Sequence, residues 1–151
     1  MKMKRRVTLV AGAGLMLFLC APLQGCLQST APQPSVIQLN GAWSYVGAQT
    51  SPVRENLSGT LSITRESGSS FQGRMDLVAM NPQTGQNRAM GGLVSGSEQG
   101  AGVIDFDAGM EITPRRHVGQ MVGDTISGTW VGSAPDGTIS SGTFRAEKLS
   151  P

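Results

Sequence analysis

The sequence has 151 residues, a length that fits one domain. Hydrophobic residues make up 38% and charged residues 15%, and 21 positions are glycine, which excludes a disordered chain, a helical bundle and a coiled coil. The net charge of +2 depends on the N-terminus, because four of the twelve basic residues lie within the first six positions. Without them, eight basic residues face ten acidic ones, so the charge gives no basis for binding nucleic acid.

The N-terminal segment has the pattern of a secretory signal. Residues 2–6 carry four positive charges, and residues 7–21 form an apolar stretch. This stretch is shorter than the roughly 20 residues that a membrane-spanning helix needs. Its length and its basic flank are typical of the hydrophobic region of a signal peptide. We therefore predict that the protein is exported.

The segment Leu23-Gln24-Gly25-Cys26 follows, and it resembles the lipobox of bacterial lipoproteins. The resemblance implies that residues 1–25 are a cleaved lipoprotein signal peptide and that Cys26 is lipidated, with palmitate-type chains, as the first mature residue. It also implies a lipid anchor in the bacterial cell envelope, and Leu27 after the cysteine favours the outer membrane. The alternatives are an ordinary signal peptide with an incidental cysteine and a short uncleaved anchor.

The two cysteines and the segment after them limit the chemistry and the layout of the mature chain. Cys20 lies in the leader and Cys26 would be a thioether, so no free thiol remains for a disulfide, a nucleophile or a zinc site. Residues 26–38 are predicted to be the lipidated cysteine and a flexible tether, whose two prolines favour an extended backbone. At about 3.1 Å per residue, this tether spans up to ~35 Å. Residues 39–151 form the remaining domain.

The domain contains a repeated unit of glycine, any residue and a large apolar residue, as in Gly41-Ala42-Trp43 and Gly128-Thr129-Trp130. Around most copies, apolar and polar residues alternate with period two, which is typical of a half-buried strand. Turn residues such as Pro135-Asp136-Gly137 separate the runs. Pro114 weakens the sixth strand. The predicted strands are 40–46, 57–65, 70–79, 87–95, 101–107, 115–122, 125–133 and 139–148.

Eight antiparallel strands in a chain this short predict an up-and-down barrel, since closure leaves no exposed edge. A two-sheet β-sandwich is the alternative. Gly41-Ala42-Trp43 on the first strand resembles the Gly-x-Trp signature of lipocalins and the wider calycin group. This resemblance implies a basic side chain near the last strand that crosses the tryptophan and closes one end of the barrel. Period two places Lys148 on the inner face with Phe144, and Arg145 on the outer face.

The inward positions define both a candidate core and a candidate binding site. One interpretation is that these residues only fill the barrel, and the other is an apolar pocket for one small ligand. Inward glycines would either widen such a pocket or allow sharp bending of the strands. For the pocket, the candidate ligand-binding residues are Trp43, Tyr45, Phe106, Trp130 and Phe144. The full inward set is Trp43, Tyr45, Leu61, Ile63, Met75, Leu77, Leu93, Ile104, Phe106, Trp130 and Phe144.

Two charged clusters are the other candidates for chemistry. Asp105 and Asp107 project from the same outer face, where a solvated surface is a simpler interpretation than an acid–base pair or a calcium site. Arg115-Arg116-His117 is the only dense basic cluster of the mature chain, and it predicts a charged loop or strand edge. The alternative is that its two arginines bind a carboxylate or a phosphate. A single histidine does not make a histidine-based metal site.

The sequence gives no basis for an enzyme. It has no Gly-x-Ser-x-Gly motif and no strand–glycine loop–helix unit, so we expect no catalytic residues, no cofactor and no metal. We expect a membrane-anchored envelope lipoprotein that binds a small apolar or amphipathic ligand. The alternative is a structural or protein-interaction lipoprotein, by analogy with small periplasmic protease inhibitors that have lipocalin-like barrels. The expected partners are the membrane, through Cys26, and either the ligand or an envelope protein.

Overall fold

The computed structural model describes residues 37–110, 113–133 and 136–150. The predicted signal peptide, the lipobox and residues 26–36 of the predicted tether lie outside the described residues. Within the described ranges, no helix is long and apolar enough to cross a membrane. The same ranges form eight strands: β1 (Gly41–Ser51), β2 (Glu55–Ser67), β3 (Ser70–Met80), β4 (Asn87–Glu98), β5 (Val103–Met110), β6 (Thr113–Val122), β7 (Thr125–Ser133) and β8 (Ile139–Lys148).

The eight strands close into one antiparallel barrel. Each strand pairs with the next one in the sequence, and β8 returns to pair with β1. Trp43 shows both pairings of β1, because it lies opposite Leu61 of β2 and opposite Lys148 of β8. The predicted eight-stranded up-and-down barrel is confirmed, and the two-sheet sandwich is wrong. Closure gives most strands a paired neighbour on both sides. The exception is β4, which pairs with β5 only from Val94 to Glu98.

β6 fits into the barrel although it contains Pro114, which lacks a backbone N–H. The proline lies opposite Gly109 of β5, whereas the pairing of β6 with β7 begins one residue later, at Arg115 and Gly132. Proline is tolerated at the start of a strand, where its missing donor breaks no ladder between two neighbours. The sixth strand therefore forms over Thr113–Val122.

Alternation along the strands places the apolar core inside the barrel. The predicted set of inward residues contains one error. Ten of the eleven predicted inward residues are buried, but Leu93 is 76% exposed. In β4, Met90 and Val94 are the buried positions, so Gly92 between them shares their inward face. The segment Gly91-Gly92-Leu93 has the form of the repeated unit but the opposite register, which turns the leucine towards solvent.

The inward glycines bring neighbouring strands together. A Cβ atom at Gly73 would overlap with the carbonyl oxygen of Ser62, and one at Gly128 would overlap with the carbonyl oxygen of Val118. These glycines therefore permit close backbone contact where a strand bends around the barrel. Of the two roles predicted for them, the structure supports bending at these positions.

Candidate functional site

The end of the barrel where β1 begins and β8 ends, called the Trp43 end below, is covered by protein. Trp43 is fully buried, and its Nε1 donates a hydrogen bond to the carbonyl oxygen of Leu39 at 2.9 Å. Lys148 Nζ lies 5.6 Å from the centre of the indole ring and donates to the carbonyl oxygen of Gln38 at 2.7 Å. Ile37 packs against the core beside them. Residues 37 and 38, from the predicted tether, therefore contact the barrel.

The basic residue over Trp43 is the one that alternation predicts. Lys148 crosses the indole from the last strand, as the resemblance to calycins implies. Arg145 lies on the outer surface, where its guanidinium forms an ion pair with Glu147 at 2.6 Å. The inward position of Lys148 and the outward position of Arg145 are confirmed.

A polar pair occupies the middle of the barrel. His117 is 1% exposed, and its Nδ1 lies 3.0 Å from the carbonyl oxygen of Arg115. Because a carbonyl can only accept, Nδ1 carries the hydrogen and Nε2 of the neutral ring is an acceptor. The hydroxyl of Tyr45, 3.2 Å from Nε2, then donates to it. Both ring nitrogens of His117 therefore have a hydrogen-bond partner within the protein.

Aromatic rings surround this polar pair. Phe106 stacks on the His117 ring with centroids 4.5 Å apart and planes 4° from parallel. Phe144 contacts His117 edge-on at 5.1 Å and stacks on Tyr45 at 5.8 Å. Trp130 also lies near His117, with ring centroids 6.3 Å apart. Four of the five predicted ligand-binding residues thus lie around His117, and these side chains fill the middle of the barrel.

The environment of this pair changes the acid–base behaviour of both groups. Burial lowers the pKa of His117 to about 4, and the bond to the Arg115 carbonyl opposes that shift only in part. Burial also raises the pKa of Tyr45 above its ordinary value, although the positive charge of Arg115 acts in the opposite direction. Both side chains are therefore neutral at pH 7.

The prediction of a charged loop or strand edge at Arg115-Arg116-His117 is wrong for two of the three residues. Alternation along β6 places Arg115 and His117 on the inner face, together with Gly119, and only Arg116 on the outer face. Arg116 binds Asp105 through two hydrogen bonds, at 3.1 and 2.6 Å, and this contact lowers the pKa of the carboxyl group. The two arginines therefore cannot bind one anion together.

The end of the barrel where β7 ends and β8 begins, called the Trp130 end below, contains a different arrangement. Trp130 is 1% exposed, and the guanidinium carbon of Arg115 lies 4.4 Å from the centre of its ring. The indole also lies against Gly142, where a Cβ atom would come within 2.8 Å of Cε2 and Cζ2. The indole Nε1 is buried, and it has no hydrogen-bond partner among the described residues.

The inner surface at the Trp130 end is divided into a polar wall and an apolar wall. Gln49 of β1, Arg115 of β6 and Ser140 of β8 form the polar wall together with Trp130. Gln49 and Ser140 are largely buried, with 7% and 8% exposure. The apolar wall, on β2 to β5, comprises Leu57, Ala79, Met90, Ala108 and Met110.

An ion pair crosses the apolar wall near the start of β2. Arg88 Nη2 of β4 lies 3.2 Å from Glu55 Oε2 of β2, and Ala79 of β3 stands opposite Arg88 between them. The small alanine side chain leaves room for the two longer ones. The negative charge of Glu55 is therefore already matched by Arg88. Within the described residues, no group of three or more His, Cys, Asp or Glu side chains could hold a metal ion.

Comparisons with known proteins support the fold. No protein-family model matches the sequence, and no curated protein matches it. Among solved structures, EF1p2_mFAP2b bound to DFHBI matches with a TM-score of 0.60 and 10% identity, over 74% of this chain and 94% of that one. A de novo designed fluorescence-activating β-barrel matches with a TM-score of 0.50 and 12% identity, over 73% of this chain and 93% of that one.

A third solved structure also has a fold similar to that of this chain. A protein of unknown function from Bacteroides ovatus matches with a TM-score of 0.51 and 12% identity, over 74% of this chain. The match covers 41% of the Bacteroides chain, so the present chain spans about two fifths of its length. At such low identities, the comparisons carry information about the fold alone. The chain has the calycin-like or lipocalin-like fold of a small, closed, eight-stranded antiparallel β-barrel.

Proposed function

We propose that this protein is a binding module for a small amphipathic ligand, which it holds at the Trp130 end of the barrel. The observation that carries the proposal is the buried Nε1 of Trp130, which has no hydrogen-bond partner among the described residues. An unpaired donor inside a protein costs about 1–3 kcal/mol, and few such groups occur in native structures. An acceptor on a ligand would recover that free energy on binding.

The packing of the rest of the barrel supports this end as the place of the proposed ligand. An eight-stranded barrel is wide enough either for its own side chains or for one small ligand. Trp43 is covered by residues 37–39, and Tyr45, Phe106 and Phe144 pack around His117. Of the five predicted ligand-binding residues, Trp130 is therefore the one that we place in contact with the ligand. The other four form the floor beneath it.

The composition of the two walls supports a ligand that is polar on one side and apolar on the other. Gln49 and Ser140 offer polar atoms, while Met90 and Met110 lie on the apolar wall. Methionine side chains adapt readily to the shape of what they contact. A protein of similar fold, EF1p2_mFAP2b, was solved bound to the small molecule DFHBI, so this architecture permits such a role.

We also propose that the barrel holds its ligand without transforming it. The chain has one histidine, the usual base of a serine or cysteine nucleophile, and both of its ring nitrogens are engaged in the middle of the barrel. Its low pKa leaves it a weak base at pH 7. A carrier or scavenger fits these side chains better than a hydrolase does.

Native mass spectrometry tests the binding proposal. The full chain is purified gently from its own host, and its mass is compared before and after denaturation. We expect a reproducible mass excess that disappears on denaturation. A mass that is the same before and after denaturation would contradict the proposed carrier role.

An unchanged mass would favour the alternative, which is a packed barrel that acts through its outer surface on another envelope protein. The filling of the middle of the barrel by Tyr45, Phe106, His117 and Phe144 is the observation that favours this alternative. Crosslinking in intact cells, which would capture a specific partner, then becomes the informative experiment.

The second part of the proposal is that Cys26 anchors the protein in the cell envelope by a lipid, with the outer membrane as the expected location. The support is the order of basic residues, apolar stretch and lipobox in residues 2–26. A single acyl chain binds a membrane only marginally, so a stable anchor needs more than one. We expect Cys26→Ser to move the protein from the membrane fraction to the soluble fraction, and unchanged retention would contradict the anchor.

A further inference from the structure

One part of the barrel wall has an open strand edge. β4 begins at Asn87 and pairs with β3 from that residue onwards, but its pairing with β5 begins only at Val94. A Cβ atom at Gly92 would overlap with the carbonyl oxygen of Gly109, so the two strands still touch there. Among the described residues, none pairs with Asn87–Gly91 on the side away from β3.

The backbone groups of alternate residues point out of this edge. The N–H of Glu98 donates to the carbonyl of Ser69, which precedes β3. Because the pairing with β3 is regular, the even-numbered residues of β4 direct their N–H and C=O groups towards β3. The odd-numbered residues direct theirs the other way, as the bond from the N–H of Gln99 to the carbonyl of Val103 shows. On the open stretch, these odd-numbered residues are Asn87, Ala89 and Gly91.

The side chains of the open stretch do not protect this edge. Natural sheets block a free edge with lysine, proline or an inward-pointing charge. The outer-face residues of the stretch are uncharged, with small side chains at Ala89 and Gly91. The charge of Arg88 is matched by Glu55 of β2. Next to the edge, Val78 of β3 lies opposite Ala89 and is 42% exposed.

We infer that this edge pairs with the same edge of a second copy of the chain, in a dimer with two-fold symmetry. An antiparallel edge is self-complementary, because rotation about a two-fold axis places the same N–H and C=O groups opposite each other. With the axis at Ala89, this residue lies opposite its copy, and Asn87 lies opposite Gly91 of the second copy. The three outward-pointing residues of each copy then form about six backbone hydrogen bonds.

The side chains favour this register over its neighbours. An axis at Arg88 would place two arginines directly opposite each other, which destabilises a strand pair. An axis at Met90 would move the second copy towards the end of β5. With the axis at Ala89, Arg88 lies opposite Met90, and the outer face gains a continuous apolar row of Val78 and Ala89 from both copies.

The position of the edge argues against a segment of the same chain as its occupant. Asn87 lies at the Trp130 end, where β4 begins. The chain before residue 37 joins the barrel at the opposite end, where Gln38 accepts from Lys148. A second copy brings a strand that the fold already holds extended, so little conformational entropy is lost when the two edges pair.

A short bismaleimide, which links two nearby cysteines, tests this pairing in intact cells that carry the full-length protein. The variants are Ala89→Cys and the matched control Leu93→Cys, since Leu93 lies on the same outer face of β4 and is 76% exposed. In the dimer, the copies of residue 89 lie about 5.5 Å apart, whereas those of residue 93 lie about 27 Å apart. We therefore expect about tenfold more covalent dimer from Ala89→Cys. The unaltered protein, which contains Cys20 and Cys26, gives the background.

Charge exchange at the same position gives an independent test. Ala89→Lys alone, or Ala89→Asp alone, places two like charges opposite each other, and we expect each to weaken association about fivefold. A mixture of the two variants places opposite charges together and should restore the dimer. Leu93→Lys is the control that should associate like the unaltered protein. Sedimentation equilibrium of the purified full chain in density-matched detergent measures the mass, and circular dichroism checks that each variant is folded.

The inference is independent of the proposed ligand site, and its outcomes are read separately from the native mass experiment. Equal crosslinking of Ala89→Cys and Leu93→Cys would overturn it, as would a mixture that associates no better than either charged variant. The mass of a single chain at every concentration of the unaltered protein would overturn it too. A covalent adduct of Ala89→Cys with a different protein would show that a foreign strand occupies the edge. A dimer that forms through residue 89 and returns in the mixture supports the pairing.

Discussion

Burial of His117 predicts a loss of stability when the pH falls from 7 towards 4. The pKa of this side chain is lowered to about 4 in the folded protein, whereas a histidine in an unfolded chain titrates near 6.5. Between these two values, the unfolded chain binds a proton that the folded protein does not. Stability is therefore complete above the unfolded pKa and is lost as the pH falls towards the folded one. A difference of this size corresponds to about 3 kcal/mol at pH 4.

The assay is urea denaturation followed by far-UV circular dichroism at pH 7, 5.5 and 4.5, for the unaltered protein and for His117→Phe. Carboxyl groups also titrate near the lower end of this range. Asp105, whose pKa Arg116 lowers, adds a loss of the same sign at low pH. Because the carboxyl groups are common to both proteins, the difference between the two pH profiles reports on His117. Identical profiles would refute the assignment of the acid sensitivity to this residue.

Tyr45, the hydrogen-bond partner of His117, provides a control for the His117→Phe variant. In His117→Phe, the Tyr45 hydroxyl loses the ring nitrogen that lies 3.2 Å away, so we expect a cost of about 1–3 kcal/mol at pH 7. Removing both polar groups, in Tyr45→Phe combined with His117→Phe, should recover much of that cost. A double variant that is as unstable as the sum of the two single variants would mean that the two groups act independently.

Three further predictions use the same denaturation assay. Trp43→Ala should lower the free energy of unfolding by about 3–5 kcal/mol, whereas Leu93→Ala should change it by less than about 0.5 kcal/mol, because one side chain is fully buried and the other is 76% exposed. Gly128→Ala should cost about 1–3 kcal/mol, since its Cβ would overlap with the neighbouring strand. Trp43→Phe should cost more than Trp130→Phe by about 1 kcal/mol, because only Trp43 loses a hydrogen bond. Equal costs in the last pair would contradict the unpaired state of the Trp130 indole.

The strands were predictable because their signal is local. Alternation with period two records which side of a strand is buried, and it does so within five or six residues. All eight predicted strands overlap the observed ones, including β6, where Pro114 lies at the strand start. The same alternation correctly separates Lys148 from Arg145 in the last strand. The local alternation of apolar and polar residues and the need to close the sheet edges were together sufficient to predict the barrel.

The candidate site was less predictable because its signals are not local. Leu93 follows two glycines, which carry no hydropathy information, so the register of β4 had to be read from Met90 and Val94. His117 is buried because Tyr45, 72 positions away in the sequence, offers it a hydroxyl. Nothing near His117 in the sequence indicates that partner. The alternation of residues 115, 117 and 119 on one face was a signal that could have placed them inside.

The contrast between the two indoles indicates where stability and function separate in this barrel. At the Trp43 end, every polar group near the ring is matched by the chain, which is what a structural closure requires. At the Trp130 end, a buried donor is left for another molecule to match, at a cost to the stability of the free protein. Proteins retain such a cost at sites where binding recovers it. A ligand that binds only the folded barrel would then raise the free energy of unfolding by RT ln(1 + [L]/Kd). It would do so by binding at the Trp130 end, where the fold alone leaves the indole donor unpaired.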